Sequence, residues 1–491
     1  MEALRHWEEE HPDRCVRTLD DGSFFGFTEV AQGYLGRFTR FLLIPAVRDA
    51  QQDGTEGRGS PITALMDLVV RSALARRAEL VEFKQEVENR YREIMNPEGM
   101  PELNALEQRL RSSLQTFVPG SGLSVVWQPS ANFSLPMPQA DVKLIEHDYA
   151  SPVANAGHGL QRAFVLSILQ NLALAEIQSS ATSSEAENAP PLPSLVLAIE
   201  EPELYQHPNR QRHLAKVLRD LAEGSIPGAV RKTQILYATH SPFFVSIDSF
   251  HQVRVLRKVC AAEGKPKVTQ VVHFSGDSAA EELHRAEDDP KPPGYTWHTL
   301  QARLQAVMTT EMAEGFFADV AVLVEGEEDR AALLAAAARK GYHLEADGIA
   351  IIPCDGKTNL DKPLVIFRGF GIATYVIWDG DAGTNGAEPV HNRRLLRLLG
   401  EPVVDWPQTT VRATFACFHK TLHDEIKDAL DGDCYDTLMK ECEQEFAIPK
   451  RKHAIKNPAV VRRLLDLAAE HGKPVQILEE IVDAIMRRKQ A

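Results

Sequence analysis

Four carboxylates in the second half of the chain have the spacing of a site for divalent cations: Glu325, Asp329, Asp379 and Asp381. The first two follow the strand-like run 319–324, and the last two end the apolar run 374–378. In an open parallel sheet the carboxyl ends of the strands border one crevice, and the second acid lies one helical turn after the first. We therefore expect the four side chains to converge at one edge of a sheet.

Negative charges gathered in this way repel one another unless cations neutralise them. Mg²⁺ binds oxygen ligands and keeps room for water and phosphate. Two such ions roughly 3.5–4 Å apart can activate a water and stabilise the leaving oxygen of a phosphodiester. Each half of the motif alone also fits a solvated strand end or a turn. The two halves together, in this order and at strand ends, favour a metal site.

The order of these features resembles the Toprim domain, the metal-dependent fold of topoisomerases, primases and some nucleases. The resemblance rests on an apolar strand that ends on Glu325 and Gly326, on Asp329, and on a later apolar strand that ends on Asp379-x-Asp381. It implies that the four acids bind the metal ions.

A glycine-containing loop nearer the N-terminus has the composition of a phosphate-binding loop. Gly157, Gly159 and Gln161 lie in it, and it leads into an apolar helix that we predict over about residues 160–177. Backbone N–H groups at a helix start favour a phosphate, and a helix that is apolar on most sides is expected to be buried. Taken alone, the same pattern also fits an ordinary turn.

Two further predicted strands end on residues that suit a nucleoside triphosphate. Residues 195–199 are followed by Glu200 and Glu201, and in an ATPase one such acid holds Mg²⁺ through water while the other orients the attacking water. Residues 233–238 are followed closely by His240. Its imidazole could contact a γ-phosphate, or it could be an ordinary strand-end histidine.

In sequence order these pieces resemble the later motifs of an ABC-type ATPase head. Residues 157–162 match its signature loop, Glu200 with the catalytic Glu201 its Walker B motif, residues 207–208 its D-loop region and His240 its switch histidine. An ABC-type head followed by a Toprim domain resembles the OLD (overcoming lysogenization defect) family of nucleases, and most closely its members that work beside a superfamily 1 helicase.

The resemblance implies cleavage of DNA with Mg²⁺ or Mn²⁺, two ions in the site, and ATP as the ligand of a complete head. It also implies a homodimer or higher homo-oligomer, a possible helicase partner, and a role in phage defence or DNA repair. A lysine near the C-terminus would stabilise the pentacovalent phosphate. Lys473 lies in the matching segment, and Lys450, Lys452 and Lys456 are alternatives.

One motif of an ATPase head is missing from the sequence. No Gly-x-x-x-x-Gly-Lys-[Ser/Thr] occurs, although the backbone and lysine of that loop hold the β- and γ-phosphates. Two explanations stay open: the chain begins downstream of the true start, or the head no longer hydrolyses ATP. We favour the first, because the later ATPase motifs are intact. We do not expect autonomous ATPase activity from the chain as written.

Other basic residues have both a functional and a structural interpretation. Lys357 follows the predicted strand 349–353 and could touch a phosphate or belong to a turn. The segment 445–491 is more basic than the segment before it, which predicts a basic edge. A predicted helix begins with four polar residues that we expect to face the DNA backbone: Asn392, Arg393, Arg394 and Arg397.

Composition limits the class of protein. The chain has 491 residues, of which 44% are hydrophobic and 25% charged, as in soluble globular proteins of two to four domains. No apolar run has the length of a membrane span, and residues 1–14 are too charged for a signal peptide. We therefore predict a cytoplasmic protein with no membrane partner. The net charge of −15 argues against wholesale coating of nucleic acid, but allows a local basic surface.

We predict an α/β protein with a partial ABC-type head, an inserted helical arm, a Toprim domain with a Rossmann-like parallel sheet, and a helical tail. The boundaries are 1–61 and 119–286 for the head, 62–118 for the arm or dimerisation surface, 287–317 for a linker and connecting helix, 318–415 for the Toprim domain, and 416–491 for the tail.

The alternative from a different functional class is a non-nucleolytic repair scaffold, an ATPase or DNA-binding protein of the SMC and RecF type. It predicts salt-sensitive DNA binding without cleavage, unchanged by EDTA. Primer synthesis or strand passage is a third possibility. Neither a zinc-binding module nor an active-site tyrosine domain is visible in the sequence.

Overall fold

The computed structural model describes residues 7, 11, 39–44, 78–94, 101–125, 142–157, 159–161, 163–164, 167, 194–224, 233–260, 264–288, 296–306 and 309–490. The chain divides into two compact units, Met1–Thr239 and His240–Ala491. No helix in the described ranges is both long enough and apolar enough to cross a membrane.

The first unit contains a three-stranded parallel sheet with β4 between β1 and β5, and β2 and β3 form a separate antiparallel hairpin. Its elements in chain order are β1 (Thr39–Ile44), α1 (Ala78–Ile94), α2 (Pro101–Phe117), β2 (Lys143–Glu146), β3 (Tyr149–Pro152), β4 (Ser194–Glu200), α3 (Pro208–Ala222) and β5 (Thr233–Ala238).

The central strand β4 is apolar, as expected for a strand whose side chains are buried. Leu197 and Ile199 on this strand are buried. Helix α3 begins with Pro208, which suits the first helical position because its missing N–H would have no helical partner. One side of this helix is buried through Ala215, Leu218 and Leu221. The two helices of the predicted arm, α1 and α2, are mostly exposed.

The second unit contains a five-stranded sheet with the strand order β11-β12-β10-β8-β9, parallel except for β11. Its elements in chain order are β6 (Val255–Cys260), β7 (Lys267–Val272), α4 (Gly276–Arg285), α5 (Trp297–Ala306), α6 (Thr310–Glu314), β8 (Val320–Val324), α7 (Glu327–Arg339), β9 (Ile349–Pro353), α8 (Asp361–Gly369), β10 (Ala373–Asp379), α9 (Val390–Leu399), β11 (Thr410–Val411), β12 (Phe415–Phe418), α10 (Leu422–Leu430), α11 (Gly432–Glu445), α12 (Arg451–Ala454), α13 (Pro458–Glu470) and α14 (Gln476–Gln490).

Both faces of this sheet are covered, which explains why β8 and β10 are apolar throughout. Alternate residues of β8 point to opposite faces, so Val322 joins one hydrophobic core and Leu323 the other. Helices α7, α13 and α14 contribute to the first core. Helices α4, α5 and α8 contribute to the second. The sheet is therefore the middle layer of a three-layer unit.

Several predicted elements have different bounds in the structure. The connecting helix that the sequence predicts before the Toprim domain, over about residues 299–317, is two helices in the structure, α5 and α6, followed by the 3-10 turn Gly315–Phe317. Residues 240–286, assigned to the head from the sequence, belong to the second unit, because Ile247 and Leu283 are buried in its core. The sequence also predicts a strand-rich segment over residues 124–142. Most of it lies outside the residues that the structure describes, and residues 124–125 form no strand.

The glycine-loop helix differs from its prediction where it is described. Residues 159–161, 163–164 and 167 are helical, but Ala163 and Ser167 are exposed, so this part is not buried on all sides. The remainder of the predicted 160–177 helix lies outside the described residues.

Candidate active site

The strand order of the second unit brings two of the predicted acids together. Strands β8 and β10 are neighbours, with Leu323 opposite Val376 in the parallel register. Glu325 follows β8 directly, and Asp379 is the last residue of β10. The backbone N–H of Asp379 donates a hydrogen bond of 2.7 Å to Glu325 Oε1. The two carboxyl groups therefore lie at adjacent strand ends.

The other two acids are oriented by their own local structure. Asp329 is in the first turn of α7, and its Oδ2 accepts a 3.0 Å hydrogen bond from the Gly326 N–H at the helix start. It is almost completely buried. Asp381 has a positive φ of 60°, a conformation that Asp tolerates better than most residues. Its Oδ2 accepts a 2.5 Å hydrogen bond from Lys357 Nζ.

Burial of these acids raises their pKa values far above the ordinary range. Removal from water, reinforced by the charges of Glu325 and Asp329, raises the pKa of Asp379 to about 8. Removal from water also raises the pKa of Glu325 to about 7 and that of Asp329 to about 6. Backbone hydrogen bonds oppose these shifts, including the one that Asp379 Oδ1 accepts from the Leu422 N–H at 2.8 Å. The metal-free site therefore favours retention of protons.

Lys357 is the cation of this cluster. Its ammonium donates to the Asp379 carbonyl at 2.6 Å as well as to the Asp381 carboxylate, and only 9% of its side chain is exposed. The sequence left open whether this lysine contacts a phosphate or belongs to a turn. It starts a 3-10 turn after β9, and its ammonium lies within the acid cluster.

The donor set fits a hard divalent cation. The groups are carboxylate and carbonyl oxygens, which Mg²⁺ and Mn²⁺ prefer, and a positively charged ammonium already binds among them. Within the described ranges, no three His, Cys, Asp or Glu side chains are already arranged around one point as metal ligands. Metal binding would therefore require side-chain rearrangement, because each of the four acids already accepts a hydrogen bond within the protein.

The tip between the two aspartates is closely packed. A Cβ on Gly380 would lie 2.4 Å from the Phe418 carbonyl oxygen, so only glycine fits this position. The Gly380 N–H donates to the same oxygen at 2.7 Å. Immediately before the tip, Trp378 is fully buried and packs against Phe415 at a ring distance of 5.2 Å. The strand end is therefore rigidly held.

The arginines of helix α9, which the sequence predicts to face the DNA backbone, bind acids in the structure. Arg393 binds Asp288 at 2.9 Å and Asp405 at 2.7 Å, and Arg397 binds Asp288 at 2.5 Å. Arg394 lies 3.2 Å from the buried Asp361. These ion pairs hold the segment after α4 against α9.

Asn392, at the start of the same helix, is fully buried rather than facing a ligand. Its amide donates to the carbonyls of Gly380 and Asp405, each at 2.9 Å. Helix α9 is thus connected directly to the tip of the acid cluster.

Several basic residues of the tail also have acidic partners. Arg463 binds Glu445 at 2.9 Å, and Lys489 binds Asp347 at 3.0 Å. Lys473 donates to Asp431 Oδ2 at 2.5 Å, at the turn between α10 and α11. The structure therefore gives Lys473 a partner outside the four acids, and its catalytic role stays a prediction.

In the first unit, the predicted Walker B acids lie at the carboxyl end of the central strand. Glu200 ends β4 opposite Ala238 of β5, and Glu201 follows with a positive φ of 44°. The Glu201 N–H donates to the Ala238 carbonyl at 2.8 Å. His240 comes two residues after β5, as the first residue of the second unit. Its nucleotide contact stays a prediction.

The predicted signature loop packs on the segment that follows the acids. Gly159 accepts a 3.3 Å hydrogen bond from Gln206, and a Cβ on Gly159 would approach the Tyr205 carbonyl oxygen at 3.3 Å. Gln161 is buried and donates to Val153 and Ala156 carbonyls at 2.8 Å, so it supports its own loop. Gly157 is exposed at the start of this loop.

Comparison with known families agrees with this two-part architecture. A model described as "AAA ATPase domain" matches residues 9–245. A second, described as "Overcoming lysogenization defect protein-like, TOPRIM domain", matches residues 316–381, which contain all four acids. The chain carries an OLD-like Toprim domain. It combines an ATPase-like domain with a Toprim domain, as the sequence motifs predicted.

The OLD nuclease of Thermus scotoductus is 28% identical over 183 residues, which cover 37% of this chain and 30% of the relative. The Old nuclease of Escherichia phage P2 is 23% identical over 365 residues, which cover 71% of this chain and 54% of the relative. The chain thus spans about a third to about half of the length of these relatives. The C-terminal region of the Burkholderia pseudomallei OLD protein is 18% identical, with a TM-score of 0.25, over 35% of this chain and 99% of that structure.

Proposed function

We propose that this chain is a metal-dependent nuclease that hydrolyses DNA phosphodiesters, and that its second unit carries the chemistry. The main support is the meeting of Glu325 and Asp379 at adjacent strand ends, joined by a 2.7 Å hydrogen bond. Acids that are buried together at a sheet edge repel one another, and a bound cation would remove that repulsion. Such a cluster therefore indicates a functional site. The names of the curated relatives agree with this proposal.

In this proposal the four acids hold Mg²⁺ or Mn²⁺, with two ions as the working number: Glu325, Asp329, Asp379 and Asp381. The ions, when bound, supply an activated water and stabilise the leaving oxygen. The chain's own contribution is to hold its carboxylates at the strand ends and to limit the water around them. Lys473 remains the proposed cation for the developing negative charge.

We propose that the first unit binds a nucleotide through Glu200, Glu201 and the loop with Gly157, Gly159 and Gln161. The role of His240 as a switch histidine is a separate proposal. We propose that ATP in a complete head controls the cut, and that the chain works as a homodimer or higher homo-oligomer. A superfamily 1 helicase partner and a role in phage defence or DNA repair are further proposals. They are supported by the resemblance to OLD nucleases.

Nicking of supercoiled plasmid with Mn²⁺ tests the proposed nuclease. We expect Glu325→Gln and Asp379→Asn to reduce the nicking rate by at least about 100-fold, because each removes a charge that the metal ions need. Glu327→Gln is the matched control. This acid lies two residues after Glu325, at the start of α7, but 54% of its side chain is exposed. Its nicking rate should stay within about twofold of the wild type.

Undiminished nicking in both acid variants would contradict the proposal. DNA binding that resists EDTA, without cleavage under any metal, would favour the repair-scaffold alternative instead. Binding at several salt concentrations identifies that outcome, because phosphate contacts weaken steeply as salt rises.

A further inference from the structure

Lys357 places a cation within the acid cluster. Its ammonium contacts a carboxylate oxygen of Asp381 and the backbone carbonyl of Asp379, both within 2.6 Å. These two oxygens flank Gly380, at the end of the central strand β10. Carboxylate and carbonyl oxygens on one short turn are also typical ligands of a divalent ion. The ammonium and a metal ion would therefore compete for the same atoms.

The backbone near Lys357 is anchored, whereas its side chain can move. The preceding Gly356 has a φ of 105° and donates its N–H to the Glu325 carbonyl at 2.8 Å, which ties the turn to the end of β8. A lysine side chain is a flexible four-carbon stem with a compact charge. It can leave Asp381 without movement of the turn.

A second buried lysine nearby has different partners, so burial alone does not place a lysine among the four acids. Lys362 is also buried, but its ammonium binds Asp361 at 3.0 Å and the Thr358 carbonyl at 3.2 Å. None of its described contacts involves the four acids of the proposed metal site. It belongs to the N-terminal turn of α8 and serves as an internal comparison.

We propose that the Lys357 ammonium is the resident cation of the metal-free site, and that a divalent ion displaces it from Asp381 when the site is loaded. This inference rests on the proposed nuclease function, since it concerns the same four acids. The lysine neutralises the cluster and so stabilises the metal-free protein. It also weakens metal binding, because an ion has to break two charge-assisted hydrogen bonds before it reaches these oxygens.

Mn²⁺ binding by the full chain, measured by electron paramagnetic resonance, tests the exchange. We expect Lys357→Met to bind Mn²⁺ about tenfold more tightly than the wild type, which corresponds to about 1.4 kcal/mol. The same variant should melt at a lower temperature without metal and recover most of the difference when Mn²⁺ is added. Lys362→Met, the control, should change Mn²⁺ affinity by less than about twofold. Unchanged or weaker Mn²⁺ binding in Lys357→Met would overturn the proposal.

A measurement on the wild-type chain keeps the test valid if Lys357→Met does not fold. Acetylation of lysines by an amine-reactive reagent, read by mass spectrometry, should increase several-fold at Lys357 when Mn²⁺ is added and stay constant at Lys362. Constant labelling of Lys357 in a chain that binds Mn²⁺ would also refute the exchange. Failure of the proposed function looks different: Mn²⁺ binding would then be absent, or unaffected by Asp379→Asn.

Discussion

At the residue scale, the charge of Asp379 is unfavourable in the metal-free protein. Its pKa rises from 3.8 to about 8 on folding. Between these values the folded chain binds more protons than the unfolded chain, so the free energy of unfolding falls as the pH rises. This contribution is smallest below pH 4 and reaches its full destabilising size above pH 8.

We therefore expect Asp379→Asn to stabilise the metal-free protein at pH 8, although it should abolish nicking. Each pKa unit of this shift corresponds to about 1.4 kcal/mol in the free energy of unfolding. We therefore expect the Tm to rise by about 3 °C or more at pH 8, and by much less at pH 5. Thermal unfolding in EDTA at the two pH values measures this difference. A lower Tm at pH 8 would show that the acid is stabilising and would contradict the assigned environment.

The sequence was sufficient to predict that Glu325 and Asp379 meet, because both directly follow apolar runs that had to be parallel strands. It could not predict the ammonium of Lys357 or the N–H of Leu422 as their partners. These groups come from the turn after β9 and from the start of α10. Their approach depends on β9 lying beside β8 and β12 beside β10, and apolar patterning does not encode strand order.

At the element scale, helix α9 connects the acid cluster to the rest of the second unit. The sequence predicted that a helix starts near Asn392. It could not predict what the arginines bind, because Asp288, which pairs with both Arg393 and Arg397, lies about a hundred residues earlier. A basic helix face has the same sequence pattern whether it meets DNA or acids of its own chain.

Asn392 makes this connection testable. Asn392→Ala removes two hydrogen bonds to buried carbonyls, and we expect it to lower the free energy of unfolding by about 2–3 kcal/mol. Because one of these carbonyls is that of Gly380, Mn²⁺ binding should weaken as well. Asn457→Ala is the control: it removes the cap of α13 at a cost of about 1 kcal/mol and should leave Mn²⁺ affinity unchanged. Equal Mn²⁺ affinity in the two variants would show that α9 does not position the tip.

At the scale of the whole molecule, the second unit has its own hydrophobic cores. Among the residues that the structure describes, the buried members of these cores lie between Ile247 and Ile485. The domain boundary that the sequence predicts between residues 286 and 287 therefore separates residues that pack together in the structure. The composition of a linker can be recognised in the sequence. The packing of α4, α5 and α8 into one hydrophobic core can be seen only in the folded chain.

We expect a fragment of residues 240–491 to fold alone, because it is a compact unit with two hydrophobic cores among its described residues. It should unfold in one cooperative transition and nick plasmid with Mn²⁺ irrespective of ATP. Calorimetry and the nicking assay check the two expectations. The same fragment with Asp379→Asn is the control for contaminating nucleases. A fragment that folds but does not cut would indicate that the first unit contributes to the chemistry.

The position of Trp378 has a practical consequence. The sequence contains five tryptophans, and this one is buried directly before Asp379, with its indole against Phe415. Indole fluorescence responds to a change of charge beside the ring. Replacing the other four by phenylalanine would leave a single native fluorophore next to the strand end. The arrival of an ion could then be followed in milliseconds by stopped-flow emission, without an attached dye.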